Sequence, residues 1–269
     1  MTGPDPRWVS LPAPPGGRPL KLALHNVPET LSKGIGRRGT HEPVQTVICQ
    51  RLLAPGASFI DVGANIGWYT IHAAARVGRQ GRVIAVEPDP DNCRLLRASV
   101  TANGFKNVQI FEAAAAQANG QAILSKSPQN FGDHRLLADD NRQQITVRTL
   151  TLDEIDPGKV DFVKIDTQGT EAKVLAGAAG ILGRDRPTIL LEFWPDGLRL
   201  QDSSYFDLFA FIDRHGYEIF RVGTFGVEKT TLGVLAQVAR EQLLGSDNHI
   251  DLLLPNPKHK ERLMNVLQT

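Results

Sequence analysis

Apolar residues in this chain fall into two kinds of block. Phe59-Ile60-Asp61-Val62, Val83–Val86, Val160–Ile165 and Thr188–Phe193 are nearly continuous, as strands buried on both faces require. Between them apolar positions recur at helical intervals, as in Ile66, Tyr69, Ile71, Ala73 and Ala74. The pattern predicts strand 58–62, helix 66–77, strand 82–87, helix 90–103 and strand 107–112. Two β-rich pieces, Ala122–Ser125 and Ile145–Leu150, flank a polar loop. The alternation resumes with strand Val160–Ile165, helix Glu171–Leu182, strand Thr188–Phe193, helix Tyr205–His215, strand Tyr217–Val222 and strand His249–Leu254. Strands alternating with helices at this spacing define an α/β chain, a mostly parallel sheet with helices on both faces.

The first 57 residues follow a different pattern. Pro4, Pro6, Pro12, Pro14, Pro15 and Pro19 lie within residues 1–19. Proline removes hydrogen-bond donors, so this stretch is expected to be an extended or disordered arm outside the core, with Trp8 its one candidate contact. Leu20–Leu24 reads as a short strand, and the 33–39 run K-G-I-G-R-R-G as a mobile loop able to cover a site. Thr40 or His41 is expected to cap a helix with Pro43 in its first turn.

Composition narrows the class. The chain has 269 residues, 41% of them hydrophobic, and a formal net charge of +1. That balance gives no global pull towards nucleic acid or an anionic membrane. Cys49 and Cys93 lack metal-ligand or redox spacing and read as reduced, packed cysteines. No apolar run approaches the ~18 residues of a membrane span, and no charged-then-apolar leader is visible, so the expected location is the cytoplasm. The oligomeric state is left open.

Candidate chemistry gathers at the predicted strand ends. The first strand runs into Asp61-x-Gly63-x-Asn65-x-Gly67, a glycine turn that lets a ligand approach the backbone at a helix start. A dinucleotide fingerprint would place a third glycine where Trp68 stands. Asp61 is poorly placed for a phosphate and well placed for an ammonium, and Glu87 ends the next strand where an acid can take ribose hydroxyls. An amino-acid end and an adenosine end together point to S-adenosylmethionine. Ala113 to Ala116 leave room for a flat adenine, with Glu112 or a nearby backbone group taking its amino group. Asp166, at the tip of V-D-F-V-K-I-D, is a site candidate, whereas Lys164 reads equally well as half of a buried ion pair. Glu171 is explained by the helix dipole. Glu192 closes the next strand as a second carboxylate within reach of Asp166, suited to orienting or deprotonating a hydroxyl, with Phe193 and Trp194 as candidate pocket walls. In the polar loop, His134 is a candidate general base.

F-I-D-V-G-A-N-I-G-W-Y-T, V-I-A-V-E-P, the T-L-D-E of 151–154, V-D-F-V-K-I-D-T-Q-G-T-E-A-K-V-L-A-G-A and the closing D-L-L-L-P together resemble the FkbM family of S-adenosylmethionine-dependent methyltransferases. The resemblance covers roughly Glu42 to Pro255. It implies the class I methyltransferase fold, a Rossmann-like seven-stranded sheet with an antiparallel last strand, the 217–222 and 249–254 strands forming a terminal antiparallel pair. It implies that Asp61, Gly63, Asn65 and Gly67 form the methionine-side loop, that Glu87 binds the ribose, and that Asp166 sits near the transferring methyl. The common family form has Val-Glu-Gly where this chain has Thr167-Gln168-Gly169, so no metal is expected there. The expected organisation is an arm (1–19), a cap region (20–57), a methyltransferase domain (58–257) and a short basic tail (258–269). The expected acceptor is a hydroxyl on a small natural product or sugar; a peptide side-chain amide and a non-catalytic cofactor-binding subunit are the alternatives.

Overall fold

The computed structural model describes residues 4–13, 17–155, 158–224, 226–242 and 249–256. Two strands, β1 (Arg7–Leu11) and β2 (Leu20–Leu24), precede helices α1 (Thr30–Arg38) and α2 (Pro43–Leu52). The alternating series follows as β3 (Ser58–Val62), α3 (Trp68–Val77), β4 (Arg82–Glu87), α4 (Pro90–Asn103) and β5 (Val108–Glu112). A small sheet comes next, from β6 (Ala114–Ala115), β7 (Gly120–Lys126) and β8 (Gln143–Leu150), then a single turn α5 (Leu152–Ile155). The second half runs β9 (Phe162–Ile165), α6 (Glu171–Ala176), α7 (Ala179–Asp185), β10 (Thr188–Phe193), α8 (Pro195–Leu200) and α9 (Tyr205–His215). It ends with β11 (Ile219–Gly223), β12 (Gly226–Thr230), α10 (Leu232–Gln242) and β13 (Ile250–Leu254).

The main sheet has eight strands in the order β12-β11-β13-β10-β9-β3-β4-β5. β3, β4, β5, β9 and β10 pair in parallel, while β13 lies antiparallel between β10 and β11. Seven of these strands have the expected arrangement, including the β11–β13 antiparallel pair. β12 is an additional edge strand, made by a hairpin that polar, weakly alternating residues conceal in the sequence. The chain enters at β3 and builds outward through β4 and β5, then returns to β9 on the other side. The carboxyl ends of β3 and β9 therefore form a topological switch point, where an open sheet leaves a crevice.

The faces of the sheet are apolar layers. Ile60, Val62, Ile84 and Val86 pack with Leu175, Ile181, Ile212 and Leu235 on one side. Phe59, Val83, Phe162 and Leu253 pack with Ile48, Leu52 and Ile71 on the other.

Three expectations for local structure are corrected. Part of the proline-rich arm is a strand, β1 paired with β2 along its whole length, and Leu11 is buried in the second layer. Its prolines flank that strand rather than interrupting it, so the ladder loses no donor. The 33–39 loop is helix α1, started by Glu29, whose carboxylate accepts the Leu31 and Ser32 amides. Ile35 supplies its buried face, an anchor that two neighbouring glycines disguise. The single helix expected over 171–182 is two, because Gly177 lies so close to the Ala116 carbonyl that a Cβ would overlap it. Asp153, of the T-L-D-E run, then caps α7 by accepting the Gly180 and Ile181 amides. The basic tail 258–269 lies outside the described residues.

Candidate active site

A cleft of about 630 Å³ opens at the switch point. One wall is the β3–α3 turn. Gly63, Asn65 and Gly67 all take the left-handed conformation, with φ of 76°, 49° and 95°. A Cβ on Gly63 would overlap the Asp166 carbonyl oxygen, and one on Gly67 would overlap Leu96. Both glycines are thus demanded by close approach as well as by φ. Asn65 is the non-glycine residue best suited to this conformation, and its side chain is fully used. Its Oδ1 accepts the Ile66 amide and its Nδ2 donates to the Phe131 carbonyl.

Glu87, at the end of β4, lines the cleft almost entirely buried. Its Oε2 accepts the Asn65 amide at 2.8 Å, and its Oε1 accepts the Asp89 amide at 2.9 Å and Asn92 Nδ2 at 3.3 Å. Burial pushes its carboxyl up to about 7. Three donors leave one lone pair of a carboxylate's four, on Oε2, for a ligand hydroxyl. Asp61 differs: it is buried beneath the cleft, where Oδ2 accepts the Thr70 hydroxyl at 2.6 Å and Oδ1 has no partner. Burial pushes it up to about 6.

Ala114 and Ala115 line the cleft, whereas Ala113 is packed inside the sheet layer. Glu112 is off the site, exposed and paired with Arg97 at 2.8 Å.

The opposite wall is the tip of β9 and the segments around it. Asp166 Oδ2 accepts Lys164 Nζ at 2.8 Å and its Oδ1 accepts Gln168 Nε2 at 3.2 Å. The same Gln168 nitrogen donates to Glu192 Oε2 at 2.9 Å, so one amide bridges both carboxylates. Burial alone would raise Asp166, but Lys164 outweighs it and holds the carboxyl below its usual range. Glu192 goes the other way: burial, with the negative charges of Asp166, Glu171 and Asp251, pushes it well above the usual carboxylate range. His249 Nε2 lies 3.4 Å from Glu192 Oε1. Phe193 is enclosed in the core, but Trp194 lines the cleft with the Arg135 guanidinium 4.5 Å from its ring centre.

Two more readings change. His134 lines the cleft, but its Nδ1 accepts the Ser127 amide at 3.1 Å and its Nε2 faces Asp89 Oδ2 at 3.2 Å. One ring nitrogen ties the loop backbone and the other stands beside the Asp89 carboxylate, so this histidine holds the loop against the start of α4. Glu171 is completely buried, and its Oε1 accepts from the Thr167 amide, the Thr167 hydroxyl and the Gly169 amide. Burial pushes it up to about 7. It shapes the 167–169 turn, in which Gln168 is held at φ 56°.

Segments distant in sequence complete the cleft: Leu31 and Ile35 of α1, His41 and Glu42 ahead of α2, and Asn130 to Leu136 from the β7–β8 loop. No periodicity announces them. The nearest sequence signal was the density of polar residues in that loop. Among the described residues, no three His, Cys, Asp or Glu side chains converge as a metal site.

A central sheet with five parallel strands, an inserted antiparallel strand, and a glycine turn and strand-end acid at its switch point define the class I methyltransferase fold. The family profile of the Methyltransferase FkbM domain matches residues 61–219, more than half of the chain, and the protein belongs to that family. Its cofactor is S-adenosylmethionine, and the cleft fits it: a glycine cradle, a spare acceptor on Glu87 and a concentration of carboxylates suited to a cation. A probable cobalt-precorrin-6B C(15)-methyltransferase (decarboxylating) of Sulfolobus acidocaldarius is 40% identical over 62 residues, 23% of this chain and 32% of that protein. The match thus spans about a third of that relative's length. Among solved structures, a methyltransferase FkbM from Methylobacillus flagellatus superposes with a TM-score of 0.48 at 18% identity, over 76% of this chain and 44% of that one. A methyltransferase from Streptococcus mutans in complex with SAH gives 0.46 at 10% identity, over 79% and 95%.

Proposed function

We propose that the protein methylates a hydroxyl oxygen of a small natural-product or sugar-type acceptor. Bound S-adenosylmethionine supplies a methyl group on a positively charged sulfur. In this reading Gly63 and Asn65 give the amino-acid end its backbone cradle, and Oε2 of Glu87 accepts a ribose hydroxyl. Asp166, kept ionised by Lys164, faces the cationic end. Glu192 would take the proton of the acceptor hydroxyl, the methyl group being supplied by the bound cofactor. The observation that carries the assignment is the Asp166–Gln168–Glu192 bridge at one end of the cleft. There one carboxylate is held below its usual range by Lys164 and the other is pushed well above it by burial and the neighbouring acids, so a single amide joins two carboxylates of opposite tendency. Positioning by Gln168 supplies the remainder, since methyl transfer depends strongly on in-line geometry.

The test is calorimetry with S-adenosylmethionine, followed by a turnover screen against hydroxyl-bearing and amide-bearing acceptors. Turnover confined to hydroxyl acceptors supports the reading. Methylation only of peptide amides replaces it with the N-methyltransferase alternative, and cofactor binding without turnover favours a non-catalytic subunit.

A further inference from the structure

Lys164 has the least expected environment in the cleft. It is a cation on a central strand, only 5% exposed, yet it lines the site. Its ammonium lies 2.8 Å from Asp166 Oδ2 and 4.5 Å from the centre of the Tyr69 ring. Tyr69 is fixed in turn by its hydroxyl, which donates to Glu42 Oε2 at 2.6 Å. Asp61 stands beside Lys164 in the parallel β3–β9 register. Glu42, Glu192 and Asp251 add further negative charge around it, while Cys49 and His41 are its other titratable neighbours. Several carboxylates therefore share one buried cation. Desolvation works against the ammonium, but the surrounding acids, Asp166 first, hold it protonated.

From this placement we infer that Lys164 is a positioning residue for the cofactor: it keeps Asp166 ionised and aimed into the cleft, and acts on S-adenosylmethionine only through that carboxylate. The inference rests on the assignment of Asp166 to the cofactor made above. A neutral residue at 164 leaves Asp166 among Asp61, Glu171 and Glu192 without the cation it is hydrogen-bonded to. Its carboxyl then rises, since like charges and burial both disfavour ionisation. The protonated form loses its attraction for a cationic ligand. The Tyr69 face gives the ammonium a second support, which fixes its height above the strand.

The experiment is a double-mutant cycle read by calorimetry with S-adenosylmethionine, using wild type, Lys164→Met, Asp166→Asn and the double variant, each across pH 6 to 9. Lys164→Met is expected to weaken binding about 10-fold or more at pH 7, as one charged hydrogen bond commands. The double variant should bind no more weakly than Asp166→Asn alone. Raising the pH should close the gap in affinity between Lys164→Met and wild type, as Asp166 ionises, but not the gap between Asp166→Asn and wild type. Lys164→Gln, which keeps a donor without the charge, should show the same pH dependence and serves if the Met variant does not fold. Additive losses, or a neutral-164 variant whose affinity tracks wild type at every pH, overturn the inference while cofactor binding stands. A wild-type protein that does not bind S-adenosylmethionine overturns both this inference and the functional reading.

Discussion

The two ends of the cleft are built on opposite plans. At the Glu87 end, the three donors to the carboxylate are local: Asn65, Glu87, Asp89 and Asn92 span fewer than 30 residues. At the Glu192 end, the parts come from across the chain: His41 and Glu42, Arg135, Asp166, Gln168, Trp194 and His249. There the carboxylates outnumber the buried cation that serves them. The first end is a finished receptor for a fixed ligand. The second is an excess of charge held apart by one glutamine amide and one lysine, a setting in which protonation states respond to what is bound. In the proposed function the cofactor is met by the short-range hydrogen bonding of the first end together with Asp166, and the acceptor by the long-range convergence around Glu192.

This contrast can be broken by substitution. The largest effect is expected from Glu192→Gln, which removes the raised carboxylate: turnover should fall by about 100-fold or more, the scale of general-base loss. Cofactor affinity, measured by calorimetry, should change less than about 3-fold; a parallel loss of both would show that the two ends are not separate. Gly63→Ala does the reverse. Its Cβ meets the Asp166 carbonyl at a left-handed φ, costing about 3 kcal/mol or more, and cofactor binding should drop about 100-fold with a lowered melting temperature.

Glu87→Gln should weaken S-adenosylmethionine by about 10-fold, in keeping with the loss of a charged hydrogen bond. It also carries a pH signature. Burial pushes Glu87 up to about 7, and its ionised form is the one that accepts a ribose hydroxyl in addition to its three protein donors. Wild-type affinity should therefore rise with pH through about 7, and calorimetry on Glu87→Gln should show that rise diminished. His134→Gln should lower turnover no more than about 3-fold while costing about 1 kcal/mol of stability in thermal melts, because it breaks a latch and not a base. Glu112→Ala should leave cofactor affinity unchanged within about 2-fold, since its exposed pair with Arg97 contributes little.

How legible the molecule was from its residues follows the same division. The strand-turn-helix at 58–77 and the acid at Glu87 were readable because buried parallel strands, tight glycine turns and strand-end ligands all leave local patterns. Asp166 and Glu192 were readable as strand tips, but their opposite ionisation was not, because it depends on Lys164 and on the acids beside Glu192. His134 was read as a candidate base since a sequence does not show that its Nδ1 holds the Ser127 amide and its Nε2 stands beside Asp89. Glu112 lies exposed beside Arg97, a pairing no local pattern announces, and β1 and α1 were obscured by prolines and glycines that turned out to flank or line packed elements.

The sequence by itself determined the layered α/β architecture, the glycine cradle and the acid that ends β4, because each is set by neighbours within a few tens of residues. Only the tertiary structure decided which carboxylate stays charged, where His134 is held, and which distant segments wall the Glu192 end of the cleft. Burial and the electrostatic interaction of buried charges depend on three-dimensional distance and on exclusion of water, and neither is a function of position along the chain.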